Sequence, residues 1–245
     1  MPIVSRPAVA AWLVLTGLAA CSSASQVTGP SAGSTSGTSQ SSSQTYDVDA
    51  LGVPQIAGAD YIDLAAVGRV SLFRSAEGHD YHDDFESCRS MKHYVEPRAG
   101  VDWSTVRIFA PVQGAIELTR ADFVGLQLVI RSTANPAFTF IIFHVNPSIS
   151  VAPGTAVALG QQIGTHIGSQ TQSDIAVGVQ TPKGYKLVSW FDVMSESVFS
   201  GYAARGVASR ASAVISRTAR DADPLSCSGE TFTSKGAIAG WLTLR

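Results

Sequence analysis

Charge is sparse in this chain. Asp, Glu, Lys and Arg make up 15% of its 245 residues, the formal net charge is −2 and the isoelectric point lies near 6.2. Without a basic excess the chain lacks the electrostatic footprint of a nucleic-acid-binding protein. The N-terminal apolar run, Pro7 to Ala20, falls short of the roughly 20 residues a spanning helix needs. Cysteine is limited to three, so at most one intramolecular disulfide can form. A hydrophobic fraction of 45% supports a sizeable core, in one large domain or two small ones. Glycine at 22 and proline at 11 suit a turn-rich β protein.

Arg6 is the only charge ahead of Pro7 to Ala20, which gives that run signal-peptide character. It ends in Leu18-Ala19-Ala20-Cys21, similar to the lipobox of bacterial lipoproteins. The resemblance implies that residues 1–20 are removed and Cys21 is acylated. The plainer reading is an ordinary cleavage site with an incidental cysteine. Acyl chains contribute about 0.8 kcal/mol per buried methylene, so a multiply acylated Cys21 would hold the chain on a membrane without a spanning helix. Ser22, rather than Asp, follows the cysteine. By likeness to Gram-negative lipoproteins this implies the outer membrane, reached from the periplasm; in a single-membrane cell it implies the outer surface. From Ser22 to Thr45 the chain is Ser, Thr, Gly and Gln with almost no large apolar side chain, which predicts a flexible tether.

Folded structure is expected to begin between Tyr46 and Tyr61. Alternation predicts strands at 70–74, 106–112, 115–118 and 126–131. A long apolar strand at 138–145 should be buried on both faces, and two more, 174–180 and 186–191, flank the turn Thr181-Pro182-Lys183-Gly184. Helical spacing then covers Asp192–Arg205 and Ser209–Arg220, and residues 237–244 close the chain as a short strand or turn.

Gly78 to Tyr94 is the densest stretch of polar chemistry. It holds three of the five histidines, four acids and Cys88. Taken alone it is a solvated turn, a hydrogen-bonded cap or half of a metal site. His93 reads as packed or hydrogen-bonded. Arg89 and Lys92 are suited to an anion or to pairing with Asp83, Asp84 and Asp221.

Three pieces of the β region resemble the M23, or LytM-type, peptidoglycan endopeptidases. Val106 to Ile116, with Ala110-Pro111 and Gly114, looks like that family's V-x-A-P-x-x-G-x-V hairpin. Phe143-His144-Val145 looks like its aromatic-x-His strand, and Val151 to Gly164 looks like its V-x-x-G-x-x-V-x-x-G-Q-x-I-G segment. Biotinyl and lipoyl carrier domains share the glycine turns but need a lysine downstream of the Ala-Pro strand; Met91-Lys92 lies upstream. The resemblance covers roughly Gly78 to Met194 and implies a duplicated-hybrid-motif fold; the domain is expected to be mainly β over residues 46–194, and the helical spacing adds a short helical extension over 195–245.

It also implies zinc, held by a His and an Asp four residues apart and by a later His-x-His strand, with one open position for water. His79 and Asp83 have the first spacing, with Asp80, His82 and Asp84 as alternatives. His144 takes the catalytic or supporting place. The later strand departs: no His-x-His follows Gly164, and Gln172-Ser173-Asp174-Ile175-Ala176 stands in its place. Either register puts Asp174 on the site face, because residues two apart on a strand share a face. A His79, Asp83, Asp174 set is harder and richer in carboxylate than a peptidase zinc site.

Cys88 and Cys227 remain once Cys21 is set aside, and in an oxidising compartment this even pair predicts a disulfide. The alternative is a nucleophilic Cys88 beside His93 or His144, which needs a free thiolate. These observations lead to a lipid-anchored envelope protein with a non-catalytic M23-like domain that binds a cell-wall component or a partner protein. The alternative is a metal-dependent peptidoglycan endopeptidase with an atypical His/Asp/Asp site.

Overall fold

A computed structural model describes residues 44–245. The leader, Cys21 and the tether up to residue 43 lie outside the described residues.

The chain enters through a single helical turn, Val48–Leu51 (α1), capped by the Asp47 carboxylate. The strands follow as Val67–Ser71 (β1), His93–Pro97 (β2), Arg107–Phe109 (β3), Gly114–Ala121 (β4) and Leu126–Ser132 (β5). Then come Phe138–Pro147 (β6), Ala156–Val157 (β7), Gln162–His166 (β8), Ser173–Thr181 (β9) and Gly184–Val188 (β10). Two short helices, Trp190–Val193 (α2) and Glu196–Ala204 (α3), precede a third, Arg217–Ala222 (α4). The chain closes with Ser226–Ser228 (β11), Thr231–Ser234 (β12) and Trp241–Thr243 (β13). Among the described residues no helix is long and apolar enough to cross a membrane.

The fold is mainly β with a short helical region near its C-terminus. One antiparallel sheet runs β13-β1-β2-β9-β6-β5-β4-β7, with β10 on β9 and the β3–β8 pair joined through β6. β6 is its centre: Phe138 to Val145 are all buried, as the apolar run predicts. Its alternation feeds two cores. Phe138, Phe140 and Ile142 point into the large cluster, together with Ile175, Val177 and Val179 of β9. Ile141 and Phe143 point into a smaller one with Phe73, Met91, Val129, Ala176 and Leu187.

The C-terminal segment departs from two long helices. Ser195 and Ser216 each turn a side chain back onto a backbone N–H three residues ahead and so start new helices after a break. Between them Arg210–Ala213 is a single 3₁₀ turn. The segment is not a separate layer either. β13 pairs with β1, and Tyr202, Val207, Ala213 and Leu244 sit in the large core.

Candidate functional site

The site is built around an irregularity in β6. Across β5, Leu126 faces Val145 but Leu128 faces Ile142, so β6 carries one extra residue against its neighbour. The extra residue falls at Phe143-His144, and His144 has φ 60°. A non-glycine residue in this left-handed region costs about 1–2 kcal/mol, and bulges of this kind re-aim side chains beside functional sites. Gly125, at φ 72°, lies against the bulge, where a Cβ would meet the Val145 carbonyl oxygen at 3.0 Å.

The bulge turns the His144 ring between two strands. Its Nδ1 lies 3.0 Å from the Val124 carbonyl oxygen and 3.4 Å from Asp122 Oδ2; its Nε2 lies 3.3 Å from Asp174 Oδ1. Both ring nitrogens therefore face oxygen acceptors. Asp174 comes from β9, opposite Tyr94 of β2, and is fully buried. Its second oxygen forms an ion pair with the Lys92 ammonium, which is 2% exposed.

Three rings surround that ammonium: Phe143 at 4.0 Å, Tyr94 at 4.8 Å and Tyr81 at 5.0 Å from Nζ. Ring faces attract a cation through their quadrupoles. Burial pushes both tyrosine phenols well above their ordinary range, so the faces stay neutral. The Asp174 charge adds to the effect at Tyr94.

Above this floor lies a cleft of about 520 Å³. One wall is the tip of the β4–β5 hairpin, with Arg120, Asp122 and Phe123. Phe123 is 82% exposed, and Arg120 Nε donates to Gln127 Oε1 at 2.6 Å. The opposite wall is Gly78, His79 and Tyr81 with Glu230 of the β11–β12 turn. Gly78 is required there: at φ 67° a Cβ would sit 2.0 Å from Tyr94 Cζ. Thr171 and Gln172 close one end and also line a second cavity of about 520 Å³ towards Trp103 and Pro97.

The residues singled out from the sequence divide here. His144 and Asp174 are brought into contact, and His79 lines the same cleft. Asp83 does not join them. Its Oδ1 accepts from the backbone N–H groups of Phe85 (2.9 Å) and Glu86 (3.0 Å), and its Oδ2 from that of Leu187 (3.0 Å). It ties the 83–86 turn onto β10, as Asp84 does through the Tyr185 N–H. His79 Nδ1 faces the Asp80 carbonyl oxygen at 2.9 Å, and His82 Nδ1 faces the Asp80 carboxylate at 3.0 Å.

His93 is packed and hydrogen-bonded between the Ser71 carbonyl and Ser189 Oγ, and burial depresses its pKa to about 4. Cys88 and Cys227 are joined in a disulfide, which leaves no thiolate for nucleophilic catalysis. Arg89 pairs with Glu86 and Asp221.

The His79, Asp83, Asp174 set expected from the sequence is not assembled. Asp83 is committed to backbone donors, and Asp174 already holds a cation of the protein's own. Among the described residues no three His, Cys, Asp or Glu side chains converge as a metal would need.

Two residues of this centre escaped the sequence reading. The sequence offers Lys92 an anion or Asp83, Asp84 and Asp221, whereas its partner is Asp174 on β9. His166 ends β8, paired with Val145. Its Nδ1 accepts the Gly168 N–H at 3.1 Å and its ring lies 6.4 Å from that of His144; burial depresses its pKa to about 4.

No family model matches the chain, and no curated protein matches it. Among solved structures the chain is similar to one described as "Structure of the SpoIIQ-SpoIIIAH pore forming complex", at 13% identity and a TM-score of 0.40, over 60% of this chain and 95% of that one. A likeness this distant assigns neither family nor function.

Proposed function

We propose that this chain is a lipid-anchored cell-envelope protein whose M23-like β domain binds a cell-wall component or a partner protein in the His79–His144 cleft without cleaving it. One observation carries the reading: the Lys92 ammonium, caged by Phe143, Tyr94 and Tyr81, neutralises the buried Asp174. A carboxylate so paired already has its charge matched within the protein, which supports binding over metal-dependent hydrolysis. What the cleft offers instead is recognition. Arg120, Gln127, Thr171 and Gln172 supply hydrogen-bonding groups, and the exposed Phe123 supplies an apolar platform at the rim. Convergent polar groups beside an apolar surface are the usual make-up of a binding cleft.

The test uses the full chain in detergent with purified peptidoglycan sacculi. Co-sedimentation should survive a chelator, release no cleavage products, and weaken at least tenfold in a Phe123→Ala/Arg120→Ala variant. Stoichiometric zinc in the purified protein, together with peptide-bond cleavage that His79→Ala abolishes, would overturn this reading in favour of the endopeptidase alternative.

A further inference from the structure

One wall of the cleft is held in an unusual way. From Asp221 to Thr243 no residue is buried, although β13 at the end of this run pairs with β1. β11 and β12 form a two-stranded sheet of their own, apart from the main one. A lone hairpin is marginal in water, and this one has no apolar side chain in either core. Yet its turn supplies Glu230 to the cleft, with Oε2 3.7 Å from His79 Nδ1.

Few ties hold the hairpin in place. The Glu230 carbonyl accepts the Asp80 N–H at 2.7 Å, and Lys235 Nζ lies 4.0 Å from Glu77 Oε2. The ion pair is exposed and contributes little. Asp223 closes the hairpin's base by accepting the Ala237 and Ile238 N–H groups, and the one covalent tie to the Gly78–Tyr94 segment is the Cys88–Cys227 bond. Cys88 belongs to the segment that carries His79 and Lys92, so this one bond joins the hairpin to the opposite part of the same wall. Its backbone sits at φ 54°, a region cysteine seldom adopts. Both cysteines are partly exposed, within reach of a reductant.

Beyond the hairpin the chain is secured independently. β13 is paired with β1, and Arg220 Nε donates to the Arg74 carbonyl at 2.9 Å. Opening would therefore stop at these anchors.

We infer that the Cys88–Cys227 disulfide is a redox-operated latch on the cleft, closed when oxidised and opened by a dithiol reductant of the envelope. The inference rests on the binding role proposed above. One thiolate of the reductant attacks a cysteine sulfur and displaces the other as a thiolate, forming a mixed disulfide. The reductant's second thiol then releases the remaining cysteine. Two electrons pass to the protein, two cysteine thiols result, and the reductant leaves as its own disulfide. The freed hairpin withdraws Glu230, and the cleft loses a wall and its ligand.

Hydrogen exchange read by mass spectrometry on the full chain tests the latch, with and without dithiothreitol and in a Cys88→Ser/Cys227→Ser variant. Amides at 79–82 and 226–234 should exchange at least tenfold faster after reduction, read at exchange times short enough that β5 and β6, which open only by global unfolding, still retain their amide hydrogens. Binding to peptidoglycan sacculi should fall at least tenfold in the same samples. Unchanged exchange at 226–234, an equal rise in β6, or binding that ignores the redox state would each overturn the latch. Binding absent in both redox states would overturn the cell-wall-binding role on which the latch is tested, whatever the exchange shows.

Discussion

Replacing Lys92 by methionine puts the centre of the site under direct stress. Methionine keeps most of the side-chain length and packs well against aromatic rings, so the main loss is the charge. Asp174 is fully buried, and its other neighbour is His144 Nε2 at 3.3 Å. Removing one member of a buried ion pair strands the other, which costs about 3–5 kcal/mol. Asp174→Asn strands the ammonium instead and should cost a similar amount, softened by the three ring faces at 4.0 to 5.0 Å. With both charges gone the penalty should largely vanish, because a buried pair replaced by neutral groups of similar volume is often neutral in stability. The double variant should therefore be more stable than either single one, with a coupling of at least about 2 kcal/mol. Urea unfolding followed by the fluorescence of the buried Trp190 and Trp103 measures this. At an m-value of about 2 kcal/mol/M, a loss of 4 kcal/mol moves the midpoint by about 2 M. Additive single costs below about 1 kcal/mol would refute the reasoning, since they would mean that water already screens the pair.

Other consequences are open to the same kind of measurement. Burial raises the Asp60 pKa to about 7, so the folded state holds a proton that the unfolded chain has released above about pH 4. Stability from this group is therefore present in acid and lost as pH rises from about 4 to about 7, by up to roughly 1.4 kcal/mol per unit. Asp60→Asn should be the more stable protein at pH 8 and lose that advantage near pH 4, in paired urea titrations. His93 and His166, both depressed to about 4, act oppositely: their stability is full above about 6.5 and lost as pH falls towards 4. At the bulge, His144→Val should destabilise more than His144→Asn by about 1 kcal/mol, because β-branched residues tolerate φ 60° worst; equal midpoints would count against the strain. The Cys88→Ser/Cys227→Ser variant should lose about 2–5 kcal/mol against global unfolding, the upper figure following from a loop of 139 residues in the chain-entropy account.

Most of the sheet was legible because its signal is local. Alternation at 126–131 and 138–145, and the glycine turn at 184, mark strands whatever they pair with. The disulfide was legible by parity. The breaks at Ser195 and Ser216 were also written in the sequence, as serines placed three residues ahead of a helical N–H, but the apolar spacing of Val193, Val198 and Tyr202 masked them. The centre of the site was not legible, for a different reason. Lys92 and Asp174 meet only because β2 pairs with β9, and nothing within either segment encodes that pairing. Near Lys92 in sequence stand Asp83, Asp84 and Glu86, which satisfy backbone N–H groups or arginines instead. The bulge at His144 was hidden too, since an extra residue in a strand buried on both faces leaves no mark in its pattern.

That extra residue also separates two kinds of tolerance to change along β6. Residues 138–142 keep the register with β5 and β9 on which both cores depend. Beyond the bulge Val145 still faces Leu126 of β5, and 145–147 pair with β8 in place of β9. A substitution at 144, unlike one at Phe143 of the smaller core, can therefore alter what the cleft presents without shifting the strand that carries the cores. In a lineage that drifts from one ligand to another, this is where variation should accumulate at least cost to the fold.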